Sequence, residues 1–342
     1  MTADFRVSSF ENKPLVFTSL VGLALLSGIL AWPFYRHGAD AGPGGGQRRM
    51  PTRHDELYAV HFPQEGRGWA VGKFGTIFST ADGGETWSRQ NSGTTKPLTS
   101  VSFADEHCGF IVGGAGTILT TTDAGSSWQI KDPGIKDHLL EVHALTASSA
   151  FAVGAFGSLL FSNDGGATWT KHKLGWQRLI PNVIRKIGDV EPNLNTVHFA
   201  NQREGWLGGE FGLILHTADG GRTWNAQRSA STFSQISAIR FRDSFNGWAV
   251  GQKGTLLRTT DGGDTWHAIS VESQQDLYGI AVLARNVVVV GAGIVLISND
   301  DGAHWTRVDS IRSDIWFSGV AIGGARAHVV GQFGTLEAVN IN

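Results

Sequence analysis

Six aspartates recur in one short pattern, each two residues after Ser or Thr, two before Gly and five before Trp. Carboxylates perform acid–base chemistry in glycosidases, but only when two of them face one cleft. These six belong to separate repeats, and around a closed ring they cannot converge on one substrate. We expect the carboxylates to accept backbone N–H bonds of their own turns, and the tryptophans to fill the space between sheets. The residues are Asp82, Asp123, Asp164, Asp219, Asp261 and Asp300, with Trp87, Trp128, Trp169, Trp224, Trp266 and Trp305.

Other catalytic or ligand-binding patterns are missing from the sequence. Cys108 is the one cysteine, and the twelve histidines show no metal-ligand spacing. Every Gly-x-x-Gly lies in a repeat turn rather than in a phosphate-binding loop. A formal net charge of −2 gives no general attraction to nucleic acid. We therefore predict no catalytic residue, no metal, no cofactor, no nucleic acid and no small-molecule substrate.

A glycan-active propeller remains the alternative. A sialidase needs a tyrosine nucleophile with an acidic partner, and neither Tyr58 nor Tyr278 has an obvious one in the sequence. Paired acids in the loops could still form a glycosidase site or bind carbohydrate. The candidates are Glu210, Asp137, Glu272, Asp276 and Asp314.

A repeat of about forty residues organises the chain from Leu57 onward. One glycine per repeat ends a Val-Gly-like step. Within a repeat, apolar alternation predicts three short strands, and a fourth begins at the tryptophan. Four strands per forty residues is typical of a propeller blade. We predict an all-β, seven-bladed propeller over residues 47–342. The repeat glycines are Gly72, Gly113, Gly154, Gly209, Gly251, Gly291 and Gly331.

The seventh repeat ends at Asn342 without the aspartate pattern or a following strand. A missing outer strand would expose a sheet edge. We predict that residues near Gln47 to Arg53 supply this strand and close the ring.

One face of the propeller should carry the loops that bind partners. The turns between second and third strands place four phenylalanines at matching positions: Phe74, Phe156, Phe211 and Phe333, with Lys253 in a fifth turn. These phenylalanines either plug the mouth of the channel or form a hydrophobic docking ring.

An insertion at residues 171–193 lies between blades three and four. Its apolar residues recur at three- and four-residue steps, as on one side of a helix, which predicts a basic amphipathic segment. We expect Pro181 to start its second half and Gly188 to end it. Trp176, Arg178, Arg185 and Lys186 are its candidates for binding a partner or a membrane surface. A flap folded over its own blade is the other interpretation.

The first fourteen residues form a tail, and Leu15 to Tyr35 contain no charged side chain. Such a run is long enough for a helix that crosses a bilayer. We predict a membrane anchor at 15–35 and a flexible linker at 36–46. A cleaved signal peptide is the alternative, with Ala39 to Ala41 as its cleavage site.

The repeat Gly-Trp-x-Val-Gly-x-x-Gly-Thr-Ile/Leu-Leu-x-Thr-x-Asp-Gly-Gly-x-Thr-Trp is clearest from Gly247 to Trp266. Its second half is the Asp box, or BNR repeat. Over about residues 55–342 the chain resembles the Ycf48/HCF136 family of photosystem II stability and assembly factors. The resemblance implies a non-enzymatic, chaperone-like adaptor that binds membrane-protein subunits through an arginine-rich patch. Arg89, Arg228 and Arg312 are further candidates for that patch. The chain departs from the family because it has neither a lipid-anchoring cysteine nor a long transit peptide.

The resulting hypothesis is a single-pass protein of the inner membrane with its propeller in the periplasm. It would assemble or stabilise subunits of a membrane protein complex. The alternative is an Asp-box glycoside hydrolase, a sialidase-like enzyme or a carbohydrate-binding propeller.

Overall fold

A computed structural model describes residues 50–181, 184, 186, 188–227, 234–271 and 273–341. The predicted tail, membrane anchor and linker lie outside these residues. Within the described part of the chain, no helix is long and apolar enough to cross a membrane.

Seven antiparallel sheets follow one another along the chain, and each is a meander of sequential strands. The first strand of every blade packs on the first strand of the next, and the last blade packs on the first, which closes a ring. The predicted all-β, seven-bladed propeller is confirmed.

Six blades have four strands: β1–β4 (Leu57–Gln64, Arg67–Gly72, Ile77–Thr80, Ser88–Gln90), β5–β8 (Leu98–Phe103, Gly109–Gly113, Ile118–Thr121, Gln129–Lys131), β9–β12 (Leu139–Ala144, Ala150–Gly154, Leu159–Ser162, Thr170–Lys171), β13–β16 (Leu194–Phe199, Gly205–Gly209, Ile214–Thr217, Asn225–Ala226), β17–β20 (Ile236–Phe241, Gly247–Gly251, Leu256–Thr259, His267–Ala268) and β21–β24 (Leu277–Leu283, Asn286–Gly291, Ile294–Ser298, Thr306–Arg307). The seventh has β25–β27 (Phe317–Gly323, Arg326–Gly331, Leu336–Asn340).

The alternating strand directions give the propeller two different faces. The turns between second and third strands and the connections between blades lie on one face, which we call the turn face. The Asp boxes and the loops between first and second strands lie on the opposite face, the Asp-box face. Short 3₁₀ turns on the turn face span Lys73–Gly75, Gly114–Gly116, Glu210–Gly212 and Gln332–Gly334.

Each Asp-box carboxylate is engaged by its own turn. In the first box, Asp82 accepts hydrogen bonds from the Thr86 N–H at 2.9 Å, the Thr86 hydroxyl at 2.6 Å and the Thr80 hydroxyl at 2.8 Å. These donors, Thr86 first, lower the pKa of Asp82 to about 2. The same bonds form in the other boxes, with Ser127 in place of the threonine in the second and His304 in the sixth. The carboxylates therefore stabilise local turns.

An interlock joins one blade to the next through the Asp-box glycine. The large side chain on the second strand of a blade lies under the box glycine of the following blade, where a Cβ would strike it. Blade four differs, because Trp206 donates its indole N–H to the Gly262 carbonyl at 3.0 Å while the Cβ position of Gly263 lies against Gln227. The pairs are Trp69 with Gly125, Phe110 with Gly166, Phe151 with Gly221, Trp206 with the Gly262 carbonyl, Trp248 with Gly302 and His328 with Gly84.

Gly221→Ala should destabilise the propeller by about 2 kcal/mol, because a left-handed backbone penalises a side chain and a packed core resists displacement. Gly221 has φ +83, and its Cβ would lie 2.5 Å from Cζ of the buried Phe151. Gly134→Ala is the matched control, since Gly134 has φ +73 and no atom within 4 Å of its Cβ position. Urea unfolding followed by tryptophan fluorescence measures both. Equal losses in the two variants would refute the interlock.

The ring closes between blades seven and one. His328 takes the place of the aromatic residue, stacks on Phe62 with ring centroids 4.2 Å apart and lies under Gly84. The Ser318 hydroxyl donates to the Leu57 carbonyl at 3.0 Å, and Arg326 pairs with Glu85. Both contacts join the last blade to the first.

The predicted outer strand of blade seven, near Gln47 to Arg53, falls partly within the described residues. Among described residues the seventh sheet has three strands, and 50–53 form none, so the prediction is wrong for that stretch. These residues instead form the connection into blade one, where the Thr52 carbonyl lies against the turn glycine Gly334. Residues Gln47 to Arg49 lie outside the described part.

Candidate partner-binding face

Six turns on the turn face hold a non-glycine residue in a left-handed conformation. Four carry phenylalanine: Phe74 (φ 54), Phe156 (φ 53), Phe211 (φ 59) and Phe333 (φ 57). Phe74 and Phe156 are each 64 % exposed and Phe333 is 45 % exposed, while Phe211 is half-buried. Three of the four side chains therefore project from the surface.

The fold itself does not require phenylalanine in these turns. Ala115 (φ 52) and Lys253 (φ 55) hold the same conformation in blades two and five. A large side chain at positive φ is costly, and exposed rings recover little of that cost by packing. The exposed phenylalanines thus form an apolar surface available for contact outside the propeller.

The insertion folds back onto the propeller. Its helix α1 (Trp176–Leu179) is a single turn. Leu179, Ile180 and Ile184 are buried, and Leu179 packs in the core shared by blades three and four. The apolar residues therefore cover these blades, as the flap interpretation predicts. The expected second helical half, from Pro181 to Gly188, lies partly outside the described residues, and Ile184 within it is helical.

The insertion and two of the phenylalanine turns form one surface, the insertion patch, made of Phe156, Trp176, Arg178, Lys186 and Phe211. Trp176 packs on the Gly157 position of the blade-three turn. The Asn193 side chain accepts the Phe156 N–H at 2.9 Å, and the Asn193 N–H donates to the Glu210 carboxylate at 2.9 Å. Arg178 and Lys186 are exposed.

The remaining basic candidates are placed differently. Arg185 and Arg228 lie outside the described residues. Arg89 pairs with Asp55 at 3.0 Å and Arg312 with Asp314 at 2.7 Å. The structure places neither Arg89 nor Arg312 in the insertion patch.

The acidic residues considered as candidates for a glycoside hydrolase site form local contacts. Asp137 accepts the Ser158 hydroxyl at 2.7 Å, Asp276 accepts the Lys253 N–H at 2.8 Å, and Glu210 binds Asn193. Asp314 pairs with Arg312, and Glu272 lies outside the described residues.

The expectation that Tyr58 lacks an acidic partner is wrong. Its hydroxyl donates to Glu56 Oε2 at 3.3 Å. Burial first, and then the Glu56 charge, raise the pKa of Tyr58. A nucleophilic tyrosine needs the opposite shift, so this pair does not resemble an activated nucleophile.

The central channel contains a polar cluster that the sequence reading missed. His61, His143, His198 and Arg240 occupy the same position of the innermost strand in blades one, three, four and five, each opposite the second-strand aromatic. The fifth member, Glu141, accepts Arg240 Nη2 at 2.6 Å and the Val197 N–H at 2.8 Å. One carboxylate therefore links three blades.

The channel histidines are held neutral. Burial lowers the pKa of His61 to about 4 and that of His143 to about 3, and the Arg240 charge contributes to both shifts. The pKa of His198 is lowered too, by burial first and then by the His143 and Arg240 charges. The His198 Nε2 lies 3.0 Å from the Phe241 carbonyl of the next blade. The cluster thus engages the Val197 N–H and the Phe241 carbonyl of neighbouring blades.

Residues 47–133, 126–229 and 226–312 match the family model of the photosystem II assembly factor YCF48. The chain belongs to this family. No curated protein sequence matches the chain.

Solved structures of the family have the same fold. YCF48 bound to a D1 peptide is 22 % identical with a TM-score of 0.67, covering 89 % of this chain and 98 % of that one. YCF48 from Cyanidioschyzon merolae is 24 % identical with a TM-score of 0.70, covering 86 % and 98 %.

A glycoside hydrolase shares the architecture as well. The GH74 enzyme of Niastella koreensis is 16 % identical with a TM-score of 0.65, covering 87 % of this chain and 54 % of that one. The likeness is one of fold alone.

Proposed function

We propose that this protein is a membrane-anchored assembly factor that binds an extramembrane segment of a membrane-protein subunit. Family membership carries the proposal. The YCF48 structure with a D1 peptide supports a peptide segment as the kind of ligand. The anchor is the apolar run from Leu15 to Tyr35, and the propeller would lie on the periplasmic side of the inner membrane.

The insertion patch is the proposed binding surface for that segment. It combines an exposed phenylalanine, Phe156, with the cations Arg178 and Lys186. Aromatic and basic side chains are the usual anchors of a protein interface. The insertion already uses its apolar residues to cover the blades, so the contact would come from its exposed polar side and the neighbouring turns.

Charge reversal of the patch tests the proposal. The Arg178→Glu/Lys186→Glu variant of the full chain should lose most of the membrane protein recovered with wild type from detergent-solubilised membranes. Arg222→Glu/Arg285→Glu is the matched control, because both arginines are exposed on the Asp-box face. Equal recovery by the patch variant and the control would contradict the assignment.

Removal of one ring gives an independent prediction. Phe156→Ser should weaken partner recovery, because it removes apolar contact area without touching the core. Phe245→Ser is the control, since Phe245 is also 64 % exposed but lies on the Asp-box face. An unchanged recovery with Phe156→Ser would restrict the contact to the charged residues.

A further inference from the structure

Exposed apolar side chains concentrate where the chain leads into the propeller. Segment 50–56 forms that connection, and Met50 within it is 53 % exposed. Phe74 and Phe333, at 64 % and 45 %, lie in the turns of blades one and seven. These three are among seven exposed large apolar residues of the described chain: Met50, Phe74, Ile130, Phe156, Phe245, Leu283 and Phe333.

Segment 50–56 runs between the two phenylalanine turns. Its Glu56 carbonyl accepts the Lys73 N–H of the blade-one turn at 2.8 Å. Its Thr52 carbonyl lies against Gly334 of the blade-seven turn, so closely that a Cβ there would strike it. Phe74 and Phe333 thus flank the incoming chain.

The opposite face is strongly acidic. The loops and Asp boxes of the Asp-box face contain fourteen acidic side chains against four arginines, with Arg67 and Arg326 at adjoining strand ends. On the turn face, the described turns and connections contain nine lysines and arginines against ten acids. An anionic surface would repel the Asp-box face at separations within about 10 Å, whereas it would repel the turn face, with its nearly balanced charge, only weakly. The acids of the Asp-box face are Glu65, Asp82, Glu85, Asp105, Glu106, Asp123, Asp164, Glu204, Asp219, Asp243, Asp261, Asp264, Asp300 and Asp301.

The distance to the proposed anchor is short. Fourteen residues separate Tyr35 from Met50, and a chain of that length cannot span more than about 50 Å. A tether of that length, joined to the turn face by segment 50–56, lets this face contact the bilayer that holds the proposed anchor.

We infer that the turn face rests on an anionic bilayer, with Phe74 and Phe333 inserted in the lipid interface beside the incoming chain. Aromatic rings favour that interface. The inference rests on the proposed membrane anchor. It assigns blades seven and one to lipid contact, and it leaves the insertion patch of blades three and four to the protein partner.

Lipid-borne quenchers test this orientation. The full-length chain, with Cys108→Ser, is reconstituted in vesicles of phosphatidylcholine with a minority of phosphatidylglycerol, and a fluorophore is attached at Phe333→Cys or, as control, at Phe245→Cys. Nitroxide-labelled lipid should remove most of the fluorescence at position 333 and little at 245. A label at Lys96→Cys reports on the turn face while both phenylalanines are kept. Its quenching should drop by more than half in Phe74→Ser/Phe333→Ser.

Each remaining outcome overturns a definite statement. Equal quenching at 333 and 245, or quenching at neither, refutes the lipid contact, and quenching at neither makes a protein the occupant of this surface. Unchanged quenching at position 96 in the double variant means that the tether alone holds the face near lipid, which refutes the role of the rings. A chain that does not float with vesicles refutes the anchor and this inference together. Failure of the partner experiment affects only the insertion patch.

Discussion

Glu141→Ala is expected to lower the free energy of unfolding by about 3 kcal/mol, because removing one partner of a largely buried ion pair leaves the other charge unpaired. The side chain of Glu141 is 15 % exposed and that of Arg240 is 31 % exposed. The loss affects two donors at once, the Arg240 guanidinium on blade five and the Val197 N–H on blade four. Urea unfolding followed by tryptophan fluorescence measures the effect.

A double-mutant cycle separates the contribution of the Glu141–Arg240 ion pair from that of the hydrogen bond between the Val197 N–H and Glu141. Glu141→Ala/Arg240→Met should be more stable than Glu141→Ala alone, because the uncompensated guanidinium is gone. Arg312→Ala is the surface control, since the Arg312–Asp314 pair is 50 % and 66 % exposed. Exposed pairs contribute less than about 1 kcal/mol. An unfolding midpoint for Glu141→Ala equal to that of wild type would show that the channel cluster does not stabilise the ring.

Acidification is expected to destabilise the propeller well above the range in which its aspartates titrate. The folded-state pKa values of His61 and His143, about 4 and 3, lie below the ordinary value of 6.5. The unfolded chain therefore takes up protons first, and stability falls as the pH drops below 6.5. Each fully shifted imidazole costs about 1.4 kcal/mol per pH unit. Allowing for water in the channel, we expect these two to cost about 3 kcal/mol between pH 6.5 and 5.

Other titrating groups act in the same direction or in another window. His198, and His328 between blades seven and one, also have lowered pKa values and add to the loss. The Asp-box carboxyls, with pKa values of about 2 at Asp82 and Asp219, contribute stability above about pH 4 and lose it only below. Unfolding midpoints of wild type and His143→Gln between pH 7.5 and 4.5 test the assignment. The variant should show a shallower decline, and parallel curves would contradict it.

The fold was predictable because its signals repeat. One glycine, one aspartate pattern and one run of alternating residues per forty positions indicate a blade, and the resemblance carried by Gly247 to Trp266 named the family. The turn phenylalanines were also found by matching positions between repeats. The channel cluster also follows the repeat, since His61, His143, His198 and Arg240 occupy equivalent positions in the first strands of their blades. It becomes visible only when those first strands are aligned residue by residue.

Two local features were not fully predicted from the sequence. The insertion has helical spacing, yet α1 ends at Leu179 because Ile180 precedes Pro181 and is extended, with φ −95 and ψ 149. A residue before proline is disfavoured in the helical region. Tyr58 and Glu56 are two positions apart at the start of β1, so their side chains share one side of an extended chain. That spacing was visible in the sequence, but Glu56 lies just before the strand.

The interlock between a second-strand ring and the next Asp-box glycine also determines how this protein could be rebuilt. The sequence repeat runs from the first strand of one blade to the first strand of the next. A blade cut out at those limits loses the Asp-box glycine that covers its second-strand side chain. In a new position, its own Asp-box glycine covers the side chain of a different blade. A transplant that begins at a second strand and ends after the Asp box of the next blade keeps the ring of its first blade together with the glycine that covers it. A blade exchange must therefore match the inserted blade both to the ring of the preceding blade and to the Asp-box turn of the following one. Blades six and seven are not joined by such a pair among the described residues, because Val288 of blade six faces a blade without an Asp box.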